Sequence, residues 1–198
     1  YRRKSAKKPS PRVTVAAVDA QGRPVVPPAG VAEALEAARW AAAMVDRPTS
    51  EKSTADFVDA ARRFAGKGAR ARVIAGEALL KMGCGGIYNV GRGAEVPPRL
   101  LHLEHAPKGK RPRMTVALVG KGVVFDTGGL HVKPRGGMEG MKSDMGGAAA
   151  VVAAFRVLVA AGLPLRLHCL VPLAENAVGP GAYRADEVVT LRSGKTVE

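Results

Sequence analysis

The feature that most constrains this chain is a helix that runs straight into a strand. Met145 to Ala161 is Ala-rich and reads as a helix, Gly162 and Pro164 end it, and Leu165 to Pro172 follows as a continuous apolar strand. Glycine suits a helix C-cap and proline cannot continue the helical ladder, so the stop is local chemistry. Other strand candidates alternate with helical ones along the chain: Arg70 to Ile74, Arg99 to Leu103 and Met114 to Val119. That alternation predicts an α/β domain with a mixed, largely buried sheet flanked by helices.

Composition permits such a core. The 198 residues are 46% hydrophobic and 24% charged, which excludes collagen-like, low-complexity and wholly disordered classes. Arg156 and Gly162 interrupt the longest apolar run, so no membrane helix is expected and a soluble chain is. Cys84 and Cys169 lack metal-ligand or framework spacing, which fits a reducing compartment, the cytoplasm. The net charge is +14, with Arg2, Arg3, Lys4, Lys7, Lys8 and Arg12 supplying +6 before any acid occurs. Residues 1–30 are read as a basic disordered head plus a linker rich in Gly and Pro, remnant of a preceding domain, and Val13 to Val18 as a short strand within it.

The body is taken to run over 31–198. Ala32 to Val45 is a predicted helix whose apolar face is Leu35, Ala38, Ala42 and Val45. Asp46-Arg47-Pro48 stops it, and Ser53 or Thr54 caps the next helix, with Phe57, Ala61, Phe64 and Ala65 as its stripe. Gly76 to Met82 is a short helix. The cluster Gly83, Gly85, Gly86, Gly91 and Gly93 satisfies no phosphate-loop pattern and reads as a tight loop with close backbone packing. Pro107 to Arg113 is a basic turn between strands.

Polar groups gather where a strand ends. Lys121 and Asp126 flank Val123-Val124-Phe125, Lys133 follows, and Asp144 stands before the Ala-rich helix. Ligands of open α/β sheets bind at the carboxyl ends of strands. Carboxylates there suit Mg²⁺, Mn²⁺ or Zn²⁺. A lysine there serves either as a neutral metal ligand or as a cation facing an oxyanion. Taken singly, each residue reads more simply as structural: Asp144 as an N-cap, Asp126 as a turn residue, both lysines as solvated.

Read together, Val119-Gly120-Lys121-Gly122-Val123-Val124-Phe125-Asp126-Thr127-Gly128-Gly129 and Asp144-Met145-Gly146-Gly147-Ala148-Ala149-Ala150 closely resemble the leucyl aminopeptidase family of two-metal exopeptidases. The likeness continues through Glu175-Asn176, Gly181 to Val188 and Ser193 to Glu198, and more weakly upstream, covering about 33–198. Gly85 to Gly91 is most similar to the probable-aminopeptidase subgroup. The resemblance implies that Lys121, Asp126 and Asp144 are metal ligands, with Asp126 bridging two divalent ions, and that Lys133 is the catalytic lysine. It places Met141 in the pocket for the first side chain, where a pliable apolar group suits Leu-like residues. Peptides are the implied substrates, and a homohexamer the implied assembly.

Two departures stand out. The family's Asn-Thr-Asp-Ala-Glu-Gly-Arg landmark is expected just beyond Glu198, so 31–198 is read as the first half of a catalytic domain, incomplete at its C-terminal end and inactive alone. Where relatives read Arg-Pro-Gly-Asp, this sequence has Arg184-Ala185-Asp186-Glu187, which alters that turn. The rival reading is a non-catalytic module using its basic surface on nucleic acid or a protein partner. With eight aromatic residues in the chain, a stacking surface for single strands is poorly supplied.

Overall fold

A computed structural model describes residues 16–107, 109 and 111–198. The basic head 1–12 and half of the expected strand from Val13 to Val18 lie outside the described residues, as do two lysines of the 107–113 turn. The elements in order are α1 (Val31–Asp46), a 3₁₀ turn (Thr49–Glu51), α2 (Thr54–Ala65), β1 (Arg70–Ala75), α3 (Ala78–Lys81), α4 (Gly85–Gly91) and β2 (Arg99–His105). They continue with β3 (Met114–Val119), β4 (Gly122–Asp126), a second 3₁₀ turn (Met141–Ser143), α5 (Gly146–Ala160), β5 (Leu165–Asn176), β6 (Val189–Thr190) and β7 (Thr196–Val197).

The mixed sheet is organised by β5. One edge of β5 pairs antiparallel with β2, which in turn pairs antiparallel with β1. The other edge pairs parallel with β3 over its first half and with β4 over its second. A parallel return needs a crossover, and α5 supplies it between β4 and β5.

Between β3 and β4 the ladder breaks at Gly120-Lys121, opposite Val171 and Pro172. The break has a steric cause. A Cβ on Gly120 would run into the Gly147 carbonyl and come within 2.6 Å of Val151 Cγ2, because the start of α5 crosses the strand there. Pro172 points its carbonyl at Gly122 across the same gap. Its missing N–H, which lies on the carbonyl's side of a strand, therefore costs no ladder bond.

The core lies on one face of the sheet. Phe57, Ala61, Met145, Ala148, Ala149, Val152 and Phe155 from the helices meet Leu101, Leu103, Val124, Leu167, Cys169, Val171 and Leu173 from the strands. The run expected as a continuous apolar strand instead alternates: Leu167, Cys169, Val171 and Leu173 are buried, whereas Arg166 is exposed and His168 and Leu170 are only half-buried on the opposite face. A strand covered by helices on one side needs apolar residues only at every second position.

Ser53, not Thr54, caps α2. Its hydroxyl accepts from Asp56 N–H at 3.2 Å and Asp56 Oδ2 accepts from Ser53 N–H at 2.9 Å, a reciprocal capping box. The expected stripe is buried through Phe57, Ala61 and Ala65, and Gly66 ends the helix at φ 75°.

Two expectations fail. Leu35 of α1 is 58% exposed and Ala38 and Ala42 are also exposed. The inward face instead carries Ala37, Trp40, Ala41 and Met44, and of the expected face only Val45 packs against the core. The indole decides the rotation: Trp40 stacks on Phe64 at 4.5 Å between ring centroids and meets Phe57 edge-on at 6.2 Å. The glycine cluster, expected as a tight loop with close backbone packing, is largely the helix α4, and only the close packing holds. Its glycines serve close approach: a Cβ on Gly91 would fall 2.6 Å from Pro98 Cβ, and one on Gly85 would strike the Thr190 carbonyl.

One window, Met141–Ala160, is after all long and apolar enough by composition to cross a membrane. In the fold it is a 3₁₀ turn followed by a 15-residue helix, about 22 Å long at 1.5 Å per residue and packed against the sheet and α1. That is shorter than the roughly 30 Å hydrocarbon core.

Candidate metal and peptidase site

Four of the sequence-selected residues form two amine–carboxylate pairs around β4. Lys121, in the break before β4, places Nζ 2.8 Å from Asp144 Oδ2. Lys133 places Nζ 3.2 Å from Asp126 Oδ2 at the carboxyl end of β4. The first pair follows from the crossing that broke the ladder. The Lys121 carbonyl accepts the Ala148 N–H at 2.8 Å, so the strand break caps the first turn of α5. Asp144 therefore does not cap α5 with its side chain; the N-cap is Met145, and Asp144 closes the preceding 3₁₀ turn.

The second pair sits on a knitted loop. Asp126 Oδ1 accepts from Gly128 N–H at 2.9 Å and from Asn176 Nδ2 at 2.7 Å. Thr127 donates its hydroxyl to the Asn176 carbonyl at 2.6 Å, and Lys133 N–H reaches the Thr127 carbonyl at 2.9 Å. Gly128, at φ 89°, makes this closure; a Cβ there would strike the His131 carbonyl. Burial works against ionisation of Asp126, but the Gly128 N–H, the Asn176 amide and Lys133 outweigh it and hold the carboxyl below its ordinary range.

Asn176, quoted in the family likeness without a part of its own, is a direct neighbour of Asp126. It faces Asp126 as its register partner on β5, and only the sheet brings the two together. Met141 lies half-buried in the 3₁₀ turn before Asp144. A cavity of about 630 Å³ opens beside Lys133, bounded by Phe125, Pro134, Met138 and Pro48, and its lining methionine is Met138. In the turn at 184–187, Asp186 takes a left-handed conformation, with φ 66°. Asp is among the few side chains that tolerate that region. Glu187 beside it accepts from Arg184 Nε at 2.9 Å and pairs with Arg92.

The residues present fit a hard divalent cation in part. Asp144 Oδ2 is buried and accepts no hydrogen bond among the described residues, leaving the nearby amine as an ion-pair partner only. A cation would satisfy that oxygen directly. Among the described residues no three His, Cys, Asp or Glu side chains converge on one point, so the oxygen supply for two ions is incomplete. Neither cysteine contributes. Cys84 and Cys169 are free, and burial pushes the Cys169 thiol up to about 12.

The sequence pattern of the cytosol aminopeptidase family, catalytic domain, matches residues 39–198. The chain belongs to this family. Among its relatives, the probable aminopeptidase NPEPL1 of Homo sapiens is 46% identical over 169 residues, covering 85% of this chain and 32% of that protein. Leucine aminopeptidase 1 of Caenorhabditis elegans is 43% identical, over 82% of this chain and 33% of its own length. The leucyl aminopeptidase of Trypanosoma brucei in complex with bestatin superposes with a TM-score of 0.83 at 44% identity, over 89% of this chain and 34% of that one. The bottromycin maturation enzyme BotP in complex with Mn superposes with a TM-score of 0.82 at 39% identity, over 99% of this chain and 41% of that one. The chain thus spans about a third of the length of the curated relatives it matches.

Proposed function

We propose that this chain carries the lysine-bearing portion of a metal-dependent aminopeptidase site, acting on peptides with Leu-like N-terminal residues. The observation that supports it is the double pairing, Lys121 with Asp144 and Lys133 with Asp126, at the strand end where a family member would hold its reacting groups. Lys121, Asp126 and Asp144 would hold divalent cations, Mn²⁺, Zn²⁺ or Mg²⁺; such ions, when bound, acidify water and polarise a carbonyl.

The chain's own groups do the rest. Asn176 and Gly128 occupy one oxygen of Asp126, so the other is left to face the site. Lys133, held in place by its backbone bond to Thr127, presents an ammonium to the oxygen on which charge develops. Lys121 must shed its proton to ligate, and loses its ion pair with Asp144 when it does. Met141 would contact the first side chain of the peptide. With two carboxylates supplied, the chain by itself is proposed to turn over slowly or not at all. Cytosol, the compartment in which relatives are named, and a homohexameric assembly complete the proposal.

The test is a fluorogenic Leu-amide assay on the chain and on a longer protein containing it, each loaded with Mn²⁺ or Zn²⁺. Metal-dependent release of the fluorophore by the longer protein, abolished by Asp126→Ala, supports the reading. Activity that persists in chelator sinks it.

A further inference from the structure

Lys52 is the one fully buried charged side chain among the described residues, 1% exposed, and no part of the proposed chemistry uses it. Neither of the amine–carboxylate pairs around β4 involves its amine. It donates instead to three backbone carbonyls: Met44 at 2.9 Å, Val45 at 3.3 Å and Lys142 at 2.7 Å, with Met145 Sδ at 3.4 Å. An ammonium has three donors, and three carbonyl acceptors are in reach.

Two of those acceptors belong to the last turn of α1, where helical carbonyls lack intrahelical partners and the dipole favours a cation. The third lies in the 3₁₀ turn Met141–Ser143, immediately before Asp144. α1 is itself anchored by Met44 in the core and by the Trp40 stack. A second strut runs the other way, from Lys142 Nζ to the Asp46 carbonyl at 3.0 Å. Upstream of the turn, Gly136 and Gly140 take left-handed φ values of 86° each.

We infer that Lys52 is a positioning residue, the pin that fixes the Met141–Ser143 turn against α1 and so sets where Asp144 and Met141 stand. Apolar packing does not need it. Replacing it by an apolar group relieves a desolvated charge but leaves the carbonyls of Met44, Val45 and Lys142 without this donor. Burial, then the cations Lys142 and Arg47, opposed by Asp46, push this amine down to about 8, so it is predominantly charged at neutral pH with all three donors in place. The consequence for function rests on the proposed role of Asp144; the mechanical claim does not.

The test replaces Lys52 with methionine, which keeps the length and removes the donors. Three readouts apply to the whole chain: the urea midpoint, amide hydrogen exchange, and Mn²⁺ binding by electron paramagnetic resonance. The expected result is a midpoint unchanged or lowered, together with a loss of protection at Ser143 and Asp144 at least tenfold greater than at β2 and β5 and weaker Mn²⁺ binding. Protection in the turn that stays at the wild-type level, or falls only in step with β2 and β5, overturns the inference and leaves Lys52 as a stability residue. If the wild type binds no Mn²⁺, the ligand role of Asp144 falls while the exchange result still decides Lys52. Should Lys52→Met not fold, the wild type alone answers by nuclear magnetic resonance. One slowly exchanging lysine ammonium, coupled through its hydrogen bond to the Lys142 carbonyl carbon, supports the pin, and the absence of any such ammonium overturns it.

Discussion

Asn176 Nδ2 donates to Asp126 Oδ1 at 2.7 Å, and the two residues are register partners at the carboxyl ends of the parallel strands β5 and β4. Because Gly128 N–H takes the same oxygen, Oδ2 alone turns toward Lys133. The carboxylate is thus aimed by the strand register and the loop.

That aim sets the expected metal behaviour. Calorimetric titration of the chain with Mn²⁺ or Zn²⁺ should show weak binding, with Kd on the order of 10⁻⁴ M or weaker, as for under-liganded carboxylate sites. Asp126→Ala should remove it and Asn176→Ala should weaken it. Two tight sites in the unmodified chain would contradict the incomplete donor set.

In a metal-loaded longer protein, Lys133→Ala should act on turnover. A cation beside a carbonyl counts most as negative charge develops there, so kcat should fall about 10²–10³-fold with a smaller change in KM. Steady-state kinetics with a Leu-amide decide it; an intact kcat would return Lys133 to a loop role.

The rotated face of α1 has a direct stability test. Trp40→Ala removes the stack on Phe64 and the edge contact with Phe57, and should cost roughly 3 kcal/mol. Leu35→Ala, at a position 58% exposed, should stay within about 0.5 kcal/mol. Urea denaturation of both variants checks the order; a larger cost at Leu35 would mean the helix is turned the other way.

Asp186→Gly should stabilise the chain by about 0.5–1 kcal/mol, since an L-residue at φ 66° carries backbone strain that glycine lacks. The measurement is the shift in urea midpoint, and a loss of stability would show that the aspartate side chain makes a compensating contact.

Lys52 predicts a pH dependence with a definite sign. Its folded pKa of about 8 lies below the ordinary 10.5, so between those values the unfolded chain retains a proton that the folded chain has released. Stability contributed through this group therefore rises with pH across that window. The difference in urea midpoint between the wild type and Lys52→Met, followed from pH 7 to 10.5, should move in the wild type's favour; a flat difference would place the amine in water.

Local chemistry in the sequence determined a good deal. A cap at Ser53 or Thr54, the Gly66 and Gly162 stops and the helix-to-strand passage at Pro164 were legible because each depends on residues within one turn of one another; the structure chose Ser53 and added Asp56 to complete the box. The motif around Lys121, Asp126 and Asp144 was legible as a family likeness, and the pairing of amines with carboxylates follows once the strand and helix form. Tertiary structure alone decided the face of α1, since alanine fits either side of a helix and only the Trp40–Phe64 stack distinguishes them. It decided that Gly85 and Gly91 stand on a helix and that Thr190 and Pro98 are what approaches them, because a glycine-rich stretch reads locally as a turn. It also placed Asn176 on Asp126 and buried Lys52 among carbonyls from α1 and the 3₁₀ turn. Those partners lie 50 and 90 positions apart for Asn176–Asp126 and Lys52–Lys142, beyond the reach of any local pattern, and only the strand register and helix packing close the distance.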